Sequence, residues 1–361
     1  MEKKKVLIGM SGGVDSSVAA ALLKEQGYHV VGATMRLWSY SDENECHEGC
    51  CSEAAVEDAR RVCDKLGIDF YVLNFKDMFK EKVVDYFVDE YINGRTPNPC
   101  IACNKYLKFD AMLKKALAMG FDYVATGHYA KIGMEDGKYT LRAADAGKKD
   151  QSYVLYQFTQ EQLAHTLMPL GEYDKDWVRK KAEELDLKVA SKPDSMEICF
   201  VEDDDYAGFI RDYAGYEPKC GKFLDIDGNV IGEHRGIIYY TIGQRKGIGA
   251  YGRPMFVMKI NPDENTITLG EKGMEFSKEL LAEDVNFISG EIPKEPIFAE
   301  VKIRYQAKSA KAMIEPCKNG VRVVFDEPQR AVTPGQAVVF YDKDKVLGGG
   351  TVTSGMNVER V

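Results

Sequence analysis

The sequence predicts an α/β protein: an N-terminal domain on a parallel sheet, then a small β-rich central domain and a C-terminal β-barrel. Three observations support this. Over the first two hundred or so residues, short apolar runs alternate with helical stretches, the pattern of strands joined by crossover helices. From about residue 205 the texture changes to short strands punctuated by Gly, Pro, Asn and Asp, which reads as sheets or barrels. At 361 residues the chain exceeds one ordinary core, so two or three domains are expected, placed at 1–203, 204–282 and 283–361.

The elements follow in order. "KVLIGM" (5–10) is a buried strand, and "SSVAAALLKEQG" is a helix with Val18, Leu22 and Leu23 on one side and Gly27 as its stop. "HVVGATM" (29–35), a helix over 53–67 and "DFYVLNF" (69–75) extend the alternation. Helices are expected at 77–92 and 105–119, a strand at 123–129, and a hairpin at 131–143 turning at Asp136-Gly137. In the second half, a hairpin turns at Asp227-Gly228, and further strands lie in "MFVMKINPDENTITLG", "AEVKIRYQ", "GVRVVFDEP" and "QAVVFYDKDKVLGGGTV". "GEIPKEP" (290–296) reads as a linker.

Composition narrows the class. The first ten residues do not read as a signal peptide, and no apolar run approaches the ~18 residues of a membrane span. Nine cysteines without an export signal point to the reducing cytoplasm, where thiols act as ligands or nucleophiles. A net charge of −9 argues against a nucleic-acid coat protein, yet a local basic face suffices for an RNA substrate.

Two motifs carry chemistry. "GMSGGVDSS" (9–17) lies between a strand and a helix, where a phosphate chain would sit. Gly9, Met10, Ser11, Gly12, Gly13, Val14, Asp15 and Ser16 are its candidate nucleotide contacts. No Gly-Lys-Ser/Thr follows, so it is not a Walker loop. Asp15 beside phosphates makes sense mainly as a ligand for Mg²⁺. The second motif, "TPNPCIACNKYLKF" (96–109), places Cys100 and Cys103 at C-x-x-C spacing. That spacing alone fits zinc, a redox couple, an iron–sulfur cluster or a nucleophile with a helper. "CHEGCCS" holds Cys46, His47, Cys50 and Cys51 at metal-like spacing without a matching second cluster, and is read as a loop with incidental thiols.

The S-G-G-x-D-S string resembles the loop of ATP pyrophosphatases (the PP-loop superfamily, adenine nucleotide α-hydrolase-like), which implies cleavage of ATP between its α- and β-phosphates to adenylate a substrate. After it come, in order, "TPNPCIACNKYLKFD", "ATGHYA", "KKDQSYVLY", "SKPDSMEICFV" and "YTIGQRKGIG". Together these closely resemble the tRNA-specific 2-thiouridylase family (MnmA/TrmU) over essentially the whole chain. The resemblance implies sulfur transfer to the wobble uridine of tRNA, with ATP adenylating O2 and a cysteine desulfurase or sulfur-relay protein as donor. Carried over residue by residue, it makes Cys199 a persulfide carrier and Cys103 the nucleophile. Met35 and Gly127 become further nucleotide contacts, and Asn98, Pro99 and Cys100 meet the target base. His128, Lys149, Asp150, Gln151, Arg304, Tyr305 and Gln336 become tRNA contacts, with Arg245 and Lys246 as added phosphate partners. His128 could instead serve as a general acid–base group.

One departure matters. Many family members carry Asp where this chain has Cys100. The three thiols Cys100, Cys103 and Cys199 could therefore hold a [4Fe–4S] cluster, and the persulfide and cluster routes both stand. Two other readings compete. A nitrogen-transferring synthetase would need a glutaminase module, which is not recognisable here. A nucleotide-binding RNA-interaction protein would leave Asp15 and Cys199 without work.

Overall fold

A computed structural model describes residues 3–37, 53–145, 149–192, 198–201 and 204–356. The metal-like string with Cys46, His47, Cys50 and Cys51 lies outside the described residues.

The first sheet is five-stranded and parallel throughout. Its strands are β1 (Lys5–Gly9), β2 (His29–Arg36), β3 (Asp69–Asn74), β4 (Tyr123–Ala125) and β7 (Thr166–Leu167), in the order β3-β2-β1-β4-β7. Val6, Leu7 and Ile8 of β1 are wholly buried, as a central strand covered on both faces requires. Helices α1 (Val14–Glu25) and α2 (Glu53–Leu66) provide part of that cover, α1 through Val18, Ala19, Leu22 and Leu23. The chain runs outward from β1 to β3 and then returns to place β4 on the other side of β1. That reversal opens a crevice at the carboxyl ends of β1 and β4, the place where such sheets bind ligands.

Two long helices lie beside this sheet, over 76–92 and 99–118. Each widens to π geometry in its middle, at Lys80–Asp85 and Cys103–Ala111. Such widening recurs at functional sites. The second helix starts earlier than the apolar periodicity predicts, because Pro99 occupies its first turn and the Asn98 side chain accepts a hydrogen bond from the Cys100 amide (3.1 Å). β4 stops at Ala125, four residues short of expectation, because Thr126 turns to share a hydrogen bond with His128 (2.8 Å).

β5 (Ala130–Glu135) and β6 (Lys138–Ala143) form the expected hairpin. Asp136 and Gly137 both take positive φ, 47° and 77°, as the tight turn between right-twisted strands demands. This hairpin does not belong to the first sheet. β6 pairs with the barrel strand β17 (Lys345–Met356) through Arg142–Lys345 and Leu141–Val346.

The central sheet has the order β10-β11-β8-β9, from β8 (Gly221–Leu224), β9 (Val230–His234), β10 (Met255–Asn261) and β11 (Thr266–Glu271). The barrel strands are β12 (Phe276–Phe287), β13 (Ile297–Lys302), β14 (Ala310–Cys317), β15 (Gly320–Arg330), β16 (Ala337–Asp342) and β17. They follow β12-β15-β14-β13-β16-β17, and pairing of β12 with β17 closes the ring and removes its edges. Leu280, Val301, Ile314, Val323, Phe325 and Phe340 fill its core. Two sequence expectations meet this arrangement. Residues 290–296 connect β12 to β13 within the barrel and do not link domains. The expected boundary at 282/283 falls inside β12, where Ala282 pairs with Val321 and Val352; the joint with the central sheet is the short turn over 272–275.

Candidate active site

The glycine-rich turn sits at the mouth of the crevice. Met10 is buried; its amide donates to the Ala33 carbonyl (2.8 Å) and its carbonyl accepts from Thr34 (2.8 Å), which ties the end of β1 to β2. Gly12 adopts φ 68°, and a Cβ there would run into the Ala55 carbonyl. α1 begins after Gly13, which has no side chain with which to cap the first amides. Ser16 and Ser17 brace the turn. Both donate to the Gly13 carbonyl (3.2 and 2.8 Å), and Ser16 also accepts from the Ser11 amide. Gly127 follows β4, next to β1. A Cβ there would come within 2.7 Å of the Ser16 nitrogen, so its first service is to let the β4 loop abut α1.

Asp15 is held from two sides. Tyr129 donates to Oδ1 (2.6 Å), and the Lys175 ammonium reaches both carboxylate oxygens (2.7 and 2.9 Å). A second lysine, Lys192, donates to the Gly12 carbonyl (3.1 Å) and to Asp58 on α2 (3.0 Å). Sequence reasoning noted the missing Walker lysine and did not anticipate these two. They arrive from 160 and 180 residues downstream. Lys192 did carry a signal, since it opens the "KPDSMEICF" string; Lys175 carried none. Met35, near the end of β2, is partly buried against the core.

The three thiols differ in exposure. Cys100 is exposed at the first turn of the helix over 99–118, Cys103 is 9% exposed where the π segment begins, and Cys199 is intermediate. The neighbour of Cys199 fixes its place: Phe200 meets Phe79, Phe87 and Phe209 at ring distances of 5.3–5.7 Å. By contrast Cys63 is wholly buried, and burial pushes its thiol up to about 12, which leaves it inert. Next to Cys103, Asn104 is buried and donates to the Val154 carbonyl (3.0 Å). Among the described residues no group of three or more His, Cys, Asp or Glu stands where it could hold a metal ion. In this arrangement the three cysteines do not fit a cluster. A single carboxylate, Asp15, suits Mg²⁺ that takes its other ligands from phosphates and water.

The expected tRNA contacts are already bonded within the chain. Asp150 accepts from the amides of Ala144 and Ser152 (both 3.1 Å), and Gln151 accepts from the Tyr129 amide (2.9 Å). Tyr305 donates to the Asp150 carbonyl (2.9 Å), Arg304 to the Arg330 carbonyl (3.4 Å), and Gln336 to the Thr96 carbonyl (2.8 Å). Lys149 is partly buried, and Arg245 and Lys246 are exposed on the central domain.

His128 shares its hydrogen bond with Thr126 and lies 5.8 Å from the Phe109 ring. Burial, with a smaller contribution from the Lys108 charge, holds its imidazolium well below the usual 6.5, so it is neutral at physiological pH and poorly suited to donate a proton. The unfolded chain protonates first. The associated stability is therefore complete above about pH 6.5 and is lost as pH falls below it. Urea midpoints at pH 7.5 and 5.5 should drop less for His128→Asn than for the wild type; equal drops would remove His128 from this dependence.

A parallel sheet with a glycine-rich turn at its switch point, followed by a central β unit and a closed barrel, defines an α/β protein of nucleotide-loop type carrying a barrel module. Family models agree. A tRNA methyl transferase HUP domain matches residues 4–203, a tRNA methyl transferase PRC-barrel domain 207–271, and an aminomethyltransferase beta-barrel domain 277–352. A tRNA-specific 2-thiouridylase of Acetivibrio thermocellus is 59% identical over 98% of this chain and 100% of its own. One of Clostridioides difficile is 58% identical over 97% and 98%. The chain belongs to the tRNA-specific 2-thiouridylase family. A 4-thiouridine synthetase–RNA complex with bound ATP overlaps 55% of this chain and 45% of its own, at 19% identity and a TM-score of 0.35, too distant to carry an argument.

Proposed function

We propose that this protein forms 2-thiouridine at the wobble position of tRNA, consuming ATP and releasing AMP and pyrophosphate. The observation that carries the reading is the presence of a glycine-rich turn at the sheet's switch point, together with Cys103 and Cys199, in a chain whose relatives match it over 98% of its length. The turn binds the phosphate chain. Bound Mg²⁺ would supply charge neutralisation, with Asp15 as its protein ligand. Lys175 and Lys192 add positive charge where pyrophosphate departs.

Uridine O2 attacks the α-phosphorus of ATP, its bond to the β-phosphate oxygen breaks, and pyrophosphate leaves. The terminal sulfur of a Cys199 persulfide attacks C2 and expels AMP, leaving the base joined to Cys199 through two sulfurs. The Cys103 thiolate then attacks the Cys199 sulfur. A Cys103–Cys199 disulfide forms, and the sulfur stays on the base as the thiocarbonyl. Two cysteines are oxidised as the transferred sulfur is reduced, so a thiol reductant must reopen the disulfide before the next turnover. Asn98, Pro99 and Cys100 face the flipped base, and the basic groups of both halves bind the tRNA stem. A cysteine desulfurase or relay protein loads Cys199. No described helix is long and apolar enough to cross a membrane, and a cysteine-rich chain suits a reducing cytoplasm.

The test is product analysis with purified tRNA and a persulfide donor. Pyrophosphate release that depends on tRNA, together with 2-thiouridine in the digest, is the expected result. Pyrophosphate without thiolated base would point to another adenylating enzyme; neither product would leave a binding protein.

A further inference from the structure

Thr96, at the entrance to the cysteine helix, is where all three parts of the chain meet. Its amide donates to the Pro334 carbonyl of the barrel (2.9 Å), and its carbonyl accepts from the Gln336 side chain (2.8 Å). Its hydroxyl meets Thr241 of the central domain (3.4 Å). Between the two barrel partners, Gly335 takes φ 89°. A Cβ there would lie 2.9 Å from the Thr96 nitrogen and 3.1 Å from the Arg95 Cβ, so the barrel turn is pressed against the backbone of the loop. Farther along the same helix, Lys105 pairs with Asp284 of the barrel strand β12 (2.8 Å). The loop leading to Asn98, Cys100 and Cys103 is thus fixed by the barrel on both polar groups of one residue.

We propose that Gln336 is a positioning residue: its bond to Thr96 sets the loop that carries Asn98–Cys103 before tRNA arrives. The barrel therefore contributes to the chemical step as well as to RNA affinity. This rests on the thiolation reading above, in which Cys103 must meet the Cys199 sulfur within bonding distance. A misplacement of about 1 Å in such a site costs about a hundredfold in rate. A residue whose work is confined to holding RNA would alter tRNA affinity alone.

Two full-length variants test this. Gln336→Met keeps the bulk and removes the amide donor. Gly335→Ala keeps Gln336 and pushes the turn away from Thr96. For each, three quantities are measured: tRNA dissociation constant, single-turnover thiolation at saturating tRNA, and iodoacetamide alkylation of Cys103 without tRNA, in a Cys100→Ser background with peptides resolved by mass. Expected, whatever the change in affinity, are thiolation at saturating tRNA reduced about tenfold or more and Cys103 alkylation raised about fivefold as the loop loosens. Weaker tRNA binding with unchanged saturated rate and unchanged alkylation overturns the proposal, as does unchanged alkylation by itself. The alkylation measurement requires neither ATP nor tRNA. If the wild type made no 2-thiouridine, the functional reading would fail while this arm still decided whether Gln336 sets the loop.

Discussion

Cys103→Ser and Cys199→Ser should each lower 2-thiouridine formation by at least about three orders of magnitude, because on the proposed persulfide route Cys199 carries the transferred sulfur and Cys103 displaces it from Cys199. Both positions accept serine sterically, so folding and tRNA binding should persist. Adenylation precedes any step by a thiol. Both variants should therefore release a tRNA-dependent burst of pyrophosphate and then stall. Cys100→Asp is the informative companion. Cys100 is exposed and lies in the first turn of a twenty-residue helix, where a carboxylate gains about 0.3–1 kcal/mol from the helix dipole. It should retain substantial thiolation. A carboxylate can also ligate iron, so activity is compared in metal-free protein with a persulfide donor and in anaerobically reconstituted protein with sulfide. Thiolation by the metal-free enzyme with a trapped Cys103–Cys199 disulfide is expected. Activity confined to the iron-loaded sample would sink the persulfide route and make all three cysteines ligands.

Asp15→Asn should reduce pyrophosphate release by about a hundredfold or more while leaving tRNA affinity within twofold. The substitution keeps the shape and one acceptor for Tyr129 but removes the charge that Lys175 and Mg²⁺ would share. Lys175→Met should also impair release. Since Lys175 contacts both Asp15 oxygens, the double variant should fall short of the product of the single effects. Undiminished pyrophosphate release by Asp15→Asn would remove Asp15 from the mechanism, and strictly multiplicative effects would separate it from Lys175.

Local signals in the sequence were sufficient where one element answers to its own residues. The apolar run of β1, the Asp136-Gly137 turn and the glycines of residues 9–17 all depend on neighbours within a few positions. The parallel sheet and the barrel-rich second half followed from the same periodicities. Residues whose partners lie far along the chain were hidden. Lys175 and Lys192 reach the phosphate turn only after the sheet has assembled. Gln336 and Tyr305 read as RNA-facing groups, yet each also bonds the backbone of the first domain. The start at Pro99 is legible in the Asn98-Pro99 pair, an N-cap followed by a first-turn proline, which apolar periodicity alone does not register.

The hairpin that leaves the first sheet to join the barrel has a consequence for biosynthesis. β6 finds its outer partner in β17, paired through Arg142 and Lys345, about two hundred residues later. At ~5–20 residues per second, the ribosome delivers that partner ~10–40 s after the hairpin emerges. During this interval the edge of β6 is an open template, and Leu141 and Tyr153, both buried in the finished protein, lack their barrel cover. The nascent chain is thus exposed to edge pairing for as long as its second half is being made. Slower translation of that half should increase its dependence on chaperones.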